Sequence, residues 1–159
     1  MEAGDRNMVR ASWDRLHALP GGKRAFSAFV ARVAPYTGTI GARVEEVRRG
    51  HAQVSMRDRP GLRNPFRSLH AVALTNLAEL AGNLAVAYTL PDDARFIVAG
   101  MSIDFAKKAR GTITATGTCP AALGGERQEL CVPVVLRDAS GDEVARAELR
   151  TLIGPKKKA

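Results

Sequence analysis

Residues 69–90 limit what this chain can fold into more than any other stretch. Leu74, Leu77, Leu80, Leu84 and Val86, with Leu69, Val72 and five alanines spaced among them, cover most of a helical cylinder. A helix apolar on nearly every side has to be wrapped by the rest of its own protein. Its polar residues Thr75, Asn76, Glu79, Gly82 and Asn83 fall along one narrow stripe, which places a carboxylate midway along a core helix. The stretch falls short of the roughly 20 uninterrupted apolar residues of a membrane span, so a central helix is the expectation.

What could wrap it follows on both sides. Beyond Pro91-Asp92-Asp93 the pattern is that of strands, over 96–106, 112–119, 130–137 and 143–153, with turn signals at Arg110-Gly111, Gly124-Gly125 and Ser140-Gly141-Asp142 at hairpin spacing. Ahead of it, Ile40, Ala42 and Val44, then Ala52, Val54 and Met56, alternate with polar residues on either side of Arg49-Gly50, as in a β-hairpin. Residues 57–65 hold two prolines and several arginines and read as a long loop. Two short amphipathic helices lead the chain. One carries Met8, Val9, Trp13, Leu16 and Leu19 and stops at Pro20-Gly21-Gly22; the other carries Phe26, Phe29, Val30 and Val33 and ends at Pro35 and Gly38. The expected architecture is α+β, an antiparallel sheet of about six strands around one long helix. The expected divisions are a helical cap over 1–38, the main domain over 39–153 and a basic exposed tail over 154–159.

Charge and composition narrow the functions. With 24 Lys+Arg against 16 Asp+Glu the net charge is +8, which draws anions. Aromatic residues make up 5% of the chain and offer few platforms for stacked bases, so nucleic acid is not the expected partner. Two cysteines, Cys119 and Cys131, are too few for a zinc site and read as free thiols, although a hairpin about Gly124-Gly125 would also allow them to pair. Residues 25–34 follow Lys23-Arg24 like a short signal core, but Arg32 interrupts them, and a cytoplasmic protein is expected. No Gly-x-Ser-x-Gly elbow, Walker loop, Gly-x-Gly-x-x-Gly or His-Glu-x-x-His occurs in the sequence. No metal site and no resident cofactor are expected.

Two stretches carry a resemblance. Asn64 precedes His70 by six positions and Glu79 follows it by nine. Further on, Ile103-Asp104-Phe105-Ala106-Lys107-Lys108-Ala109-Arg110-Gly111 leads into the alternating Thr112-Ile113-Thr114-Ala115-Thr116. Over 39–153 the chain resembles the hotdog-fold acyl-CoA thioesterases of the phenylacetate-degradation (PaaI-like) type. Members of that group have an amide residue, His-Gly-Gly and a catalytic carboxylate at these spacings. Here His-Gly-Gly is His70-Ala71-Val72: Ala71 retains the N–H but adds a methyl group, and Val72 replaces the second glycine.

The resemblance implies thioester hydrolysis. Glu79 would be the general base or nucleophile, a role that burial on a core helix suits by raising a carboxyl pKa. The Ala71 N–H, at the positive end of the helix, would receive the developing oxyanion. Asn64 would orient water or the thioester, with Asn64 and Glu79 coming from opposite subunits of a dimer or of a dimer of dimers. His70 reads as a helix-entry residue with a structural hydrogen bond, and Asn83, one turn beyond Glu79, as a residue of the site or of packing. Arg63, Arg67, Lys107, Lys108 and Arg110, with Arg57 and Arg59, would hold the phosphates of coenzyme A, which enters as part of the substrate. Acyl-CoA and acyl-carrier-protein thioesters both fit. A non-catalytic acyl-thioester or lipid-binding module of the same fold is the alternative.

Overall fold

A helix of 19 residues, Ala71–Thr89, occupies the stretch read as central, and twelve of its residues are buried. In the computed structural model, which describes residues 7–156, it is the fourth helix, α4. Before it come α1 (Met8–Leu16), α2 (Gly22–Val33), α3 (Pro35–Gly38), β1 (Arg43–Arg48), β2 (His51–Met56) and a 3₁₀ turn at Pro60–Leu62; after it come β3 (Ala94–Phe105), β4 (Ile113–Thr118), β5 (Gln128–Arg137) and β6 (Glu143–Pro155). The strands form one six-stranded sheet in the order β1-β2-β4-β5-β6-β3, every pair antiparallel. Helix α4 packs chiefly on β4, β2 and β5, with little contact to β3. This is the hotdog arrangement expected from the sequence.

Strand alternation builds the layer beneath the helix. In β5, Val132, Val134 and Leu136 face inward, and in β6, Ala145, Ala147, Leu149, Thr151 and Ile153 do the same. The first hairpin departs from strict alternation through a bulge between Val44 and Glu46, so that Val44 and Val47 are both buried. Two glycines allow the helix to come close. A Cβ on Gly117 would lie 2.7 Å from the backbone of Ala81, and one on Gly82 would lie 2.7 Å from the Leu149 side chain.

The polar stripe is therefore narrower than its sequence pattern. Asn76 is 5% exposed and Gly82 faces the sheet. The strip that this chain leaves open runs through exposed Ala71 and Val72 and half-buried Thr75, Glu79 and Asn83.

The N-terminal cap has three helices rather than two. Pro35 opens the one-turn α3 instead of merely ending α2, since a first helical turn accommodates proline. Asn7 joins the cap to the core: its Oδ1 accepts the Arg10 N–H at the start of α1, and its Nδ2 donates to the carbonyls of Ala87 and Leu90 at the end of α4. Tyr88 Oη donates to Asp14 at 2.7 Å, and Trp13 meets Phe26 edge-on with ring centroids 5.0 Å apart.

The later strands fall where the sequence pattern placed them, but β1 begins only at Arg43, so that Ile40 and Ala42 precede it rather than alternate within it, and one connection also differs. Arg110-Gly111 is not a hairpin turn, because β3 pairs with β6 at the sheet edge while β4 pairs with β2 and β5. Gly111, at φ 69°, reverses the chain without selecting the strand it will meet. Cys119 and Cys131 are free. The register of Gly117 with Val134 leaves the two cysteines one residue out of step, on opposite faces, which rules out the cross-hairpin disulfide. At the C-terminal end Gly154 and Pro155 belong to β6, paired with Arg95 and Ala94, and the Lys156 N–H donates to Asp93 at 2.7 Å. Residues 157–159 of the expected tail, like the first residues of the expected leading helix, lie outside the described residues. Among the described residues no helix is long and apolar enough to cross a membrane.

Gly117→Ala should destabilise the protein by roughly 1–3 kcal/mol, because the new methyl overlaps backbone that has no room to move aside. Urea unfolding would show this as a lower midpoint. An unchanged midpoint would mean that α4 does not depend on this approach.

Candidate active site at the start of the central helix

Two loops meet where α4 begins. The Asp58 carboxylate joins them, Oδ1 accepting Arg63 Nε at 2.7 Å and Oδ2 accepting the Gly111 N–H at 3.1 Å. Its side chain is 12% exposed, and the Arg63 hydrogen bond holds its pKa below the ordinary carboxylate value. Leu69 N–H donates to the Ala109 carbonyl and His70 N–H to that of Leu62, each at 2.8 Å. The sequence reading missed Asp58, whose one signal was a carboxylate among arginines.

Asn64 is folded into its own loop. Its Oδ1 accepts the N–H groups of Phe66 at 2.9 Å and Ser68 at 3.2 Å, and its Nδ2 donates to Ser68 Oγ at 3.0 Å. The turn it closes brings Arg67 to φ 55°, a left-handed conformation unusual for a side chain with a Cβ. Within this chain Asn64 thus shapes the loop, and one Nδ2 hydrogen remains for another acceptor.

His70 is the N-cap of α4. Its Nδ1 accepts the Val72 N–H at 3.1 Å, which assigns the proton of a neutral ring to Nε2 and makes it a helix-entry residue. The Ala71 N–H has no acceptor among the described residues and lies at the positive end of a long helix. This is a donor that an anionic oxygen can use.

Glu79 is half-buried on the open strip and makes no ion pair or hydrogen bond among the described residues. It lies eight positions beyond Ala71, about 12 Å along the axis at 1.5 Å per residue. A group attacking a carbonyl has to approach to about 3–3.5 Å. A carbonyl held at Ala71 is thus out of reach of the Glu79 of the same chain. Asn83 continues the strip one turn on, with its Oδ1 buried and unpartnered.

The basic residues divide. Lys107 is committed to Asp138 and Asp142, both at 2.7 Å, and these carboxylates raise its pKa. It clips the β5–β6 turn. Arg63 is paired with Asp58, and Arg59 donates to the Thr39 carbonyl at 2.6 Å. Arg67, Lys108 and Arg110 gather beside the loop instead: Arg110 Nε donates to the Arg67 carbonyl at 3.4 Å, and Lys108 Nζ lies 5.7 Å from the ring centroid of Phe66, itself 70% exposed. Phe66 is another residue the sequence reading passed over.

Two cavities are relevant. The larger, about 890 Å³, opens at the end of β3 and β6 between Phe96, Ile97, Leu152 and the cations Arg95 and Arg127, and no residue singled out from the sequence lines it. The smaller, about 190 Å³, lies under the cap beside His70 and Val72. Among the described residues no three His, Cys, Asp or Glu side chains gather as metal ligands would.

Residues 22–153 match the family described as a domain of unknown function, DUF4442. The chain belongs to that family. A structural-genomics protein, APC5556, superposes on this DUF4442 chain with a TM-score of 0.80 at 29% identity, over 94% of this chain and 99% of its own. A Pseudomonas aeruginosa protein of unknown function, described as a probable thioesterase, superposes with a TM-score of 0.73 at 22% identity, over 87% of this chain and 97% of its own. AziG of S. sahachiroi is 25% identical with a TM-score of 0.69, over 77% of this chain and 98% of its own. No curated protein sequence matches the chain.

Asp58→Asn should weaken the junction of the two loops in a pH-dependent way. A carboxylate whose native pKa is depressed contributes stability above its ordinary value of 3.8, and that contribution is lost as pH falls through the lower native value. The stability difference between wild type and variant, from urea unfolding, should be largest near neutrality and shrink on acidification. A difference independent of pH would remove the charge from this account.

Proposed function

We propose that this chain is an acyl-CoA thioesterase working as a homodimer, its site read on the phenylacetate-degradation (PaaI-like) pattern. The observation that carries the proposal is Glu79, a half-buried carboxylate with no partner among the described residues on the strip of α4 left open, while the Ala71 N–H, likewise without an acceptor among them, marks the start of the same helix. The thioesterase description of the Pseudomonas aeruginosa protein, which shares the fold, agrees with it.

The separation of Ala71 from Glu79 calls for a second copy, so that the Ala71 of one protomer works with the Glu79 of the other. Strand β3 offers a place for that copy. It is 12 residues long, its one neighbour in the sheet is β6, and it exposes Ile97, 66% accessible, and Phe105, 47% accessible. A long, nearly uncharged edge left unpaired invites pairing with another strand.

In the reaction the thioester carbonyl accepts the Ala71 N–H, and Glu79 of the other protomer takes a proton from water as the water attacks, or attacks the carbonyl itself. The tetrahedral oxyanion is held at the helix N-terminus, and its collapse breaks the C–S bond. In the water route the CoA thiolate leaves with the proton Glu79 took up and the free acid is released; in the direct route the thiolate leaves an acyl-glutamyl anhydride that a water then hydrolyses to the free acid. Asn64 offers its remaining N–H to the water or the carbonyl. Arg67, Lys108 and Arg110 form the cluster for the CoA phosphates, and Arg63 screens the approach while paired with Asp58. Lys107 contributes by holding the β5–β6 turn. The site of action is cytoplasmic. The second reading, an acyl-thioester or lipid-binding module without catalysis, is favoured by Val72, whose side chain is 53% exposed at the position where the family pattern has glycine.

Ala71→Pro tests the oxyanion donor with little disturbance. Proline is favoured at the first position of a helix, and His70, at φ −67° and ψ 141°, already has the extended conformation that precedes proline. The variant should keep its melting temperature and lose roughly 10²- to 10³-fold in kcat. Glu79→Gln should lose roughly 10²- to 10⁴-fold in kcat while retaining substrate binding. Full activity in either variant sinks the assignment of that residue. If the wild type hydrolyses nothing in a panel of acyl-CoA esters yet binds them, the binding-module reading takes its place.

The phosphate cluster makes a separate prediction. Arg110→Glu should raise KM for acyl-CoA at low salt, with an effect that fades as ionic strength rises and the Debye length falls below about 8 Å. An unchanged KM at low salt would return Arg110 to the solvated surface.

A further inference from the structure

The sheet face turned away from α4 carries the larger cavity, about 890 Å³. Alternation along β6 decides its side: Ile153 is 4% exposed and faces the helix, so Leu152 and Gly154 point the other way. Register across three strands then makes a row. Arg95 on β3 pairs with Gly154, and Arg127 lies on the other flank, one residue before Gln128, which pairs with Ile153. A Cβ on Gly154 would stand 3.7 Å from the Arg127 Cγ, so the Arg127 stem borders the space that the missing side chain leaves.

With neighbouring strands about 4.8 Å apart, the two arginines are rooted roughly 10 Å from one another across a bare glycine. Long side chains rooted in this way can close on one oxyanion. Neither Arg95 nor Arg127 makes an ion pair or side-chain hydrogen bond among the described residues, and no Asp or Glu is among the described residues of the lining. The carboxylates near the row are engaged elsewhere: Glu129, opposite Leu152, by Arg150 at 3.5 Å, and Glu126 by Gln128 Nε2 at 3.3 Å. Lys156, at the end of the row, donates to the Asp92 carbonyl. About 7 Å along the strands from Gly154, Ile97 and Leu152 are register partners, 66% and 39% exposed.

We propose that this groove binds a free amphipathic carboxylate, an alkanoate whose head lies between Arg95 and Arg127 over Gly154 and whose chain covers Ile97 and Leu152. Charge complementarity selects the head, since the uncommitted charges in the groove are both cationic. The neighbouring apolar pair selects the tail, because a small hydrated anion would leave Ile97 and Leu152 in water. A second copy paired along β3 would join in the plane of the sheet, and these side chains stand perpendicular to that plane. The inference is independent of the hydrolase reading, as no thioester takes part.

Calorimetric titration of the full chain with octanoate, butyrate and octylammonium tests this. Octanoate should bind, and butyrate should bind at least roughly tenfold more weakly, because each buried methylene is worth roughly fourfold in affinity. Octylammonium, with the same chain and the opposite charge, should not bind. Gly154→Val fills the floor at a strand position that accepts a branched side chain, and it should abolish octanoate binding. Arg95→Gln combined with Arg127→Gln removes the charges and should weaken octanoate binding by roughly tenfold or more. Both arginines are exposed, so the double variant keeps its fold even if urea unfolding shows that Gly154→Val does not. The proposal is overturned by no octanoate binding in the wild type, by equal binding of octylammonium, or by octanoate binding that the double arginine variant leaves unchanged. Co-sedimentation with phosphatidylglycerol vesicles in the absence of octanoate binding would also overturn it and assign the face to a membrane surface.

Discussion

The approach of α4 to the sheet at Gly82 and Gly117 is the contact on which the rest of the structure depends. It brings the helix against Val134 and Leu149 with no space for a methyl group on either glycine. The burial of Leu77, Leu84 and Val86 follows from this contact, each side chain contributing about 1.5–3 kcal/mol. The approach also sets the rotation of the helix about its axis. With Gly82 turned to the sheet, Glu79 and Asn83 come to the open side and Asn76 turns under the cap.

Both ends of α4 are held by groups distant in sequence. At its C-terminal end Asn7 and Arg10 donate to the last carbonyls, and the Thr89 hydroxyl accepts the Gly50 N–H at 2.8 Å while donating to the Ala85 carbonyl. These contacts meet orphan groups that a helix end would otherwise leave to water. At the N-terminal end the accounting differs: His70 satisfies the Val72 N–H, and the Ala71 N–H is left unused. An end that is capped but keeps free donors among the described residues, the Ala71 N–H one of them, beside loops joined through Asp58, is suited to an incoming oxygen. The same chain cannot bring Glu79 to it, so the proposed chemistry depends on the proposed second copy.

Much of the fold was legible because it depends on local periodicity. The main spans of β5 and β6 follow from alternation that burial on one face enforces, although β5 starts and β6 ends two residues beyond the pattern, and the N-terminus of α4 follows from a residue able to cap ahead of an apolar run. Where local pattern misled, the missing term was long-range. The turn at Gly111 looks like any hairpin turn, yet the partner of β3 is β6, more than 40 residues further along. Asn64 was expected to orient water or the thioester, and its neighbours Phe66 and Ser68 claim its oxygen, leaving one amide hydrogen for that task. Lys107 belonged on sequence to a run of cations, and two aspartates from the β5–β6 turn neutralise it.

The sequence by itself determined that a nearly all-apolar helix exists, that antiparallel strands surround it, and that Asn64, His70 and Glu79 lie at fixed intervals along loop and helix. These are consequences of side-chain period and chain connectivity. Tertiary structure decided which polar groups are spoken for. Whether Asn76 is exposed or enclosed, whether Arg63 is free or paired with Asp58, and whether Ala71 and Glu79 can act on one carbonyl all depend on what other segments place beside them. Hydrogen bonds and ion pairs act over a few ångströms in space, and spacing along the chain does not encode that distance once the intervening residues fold back.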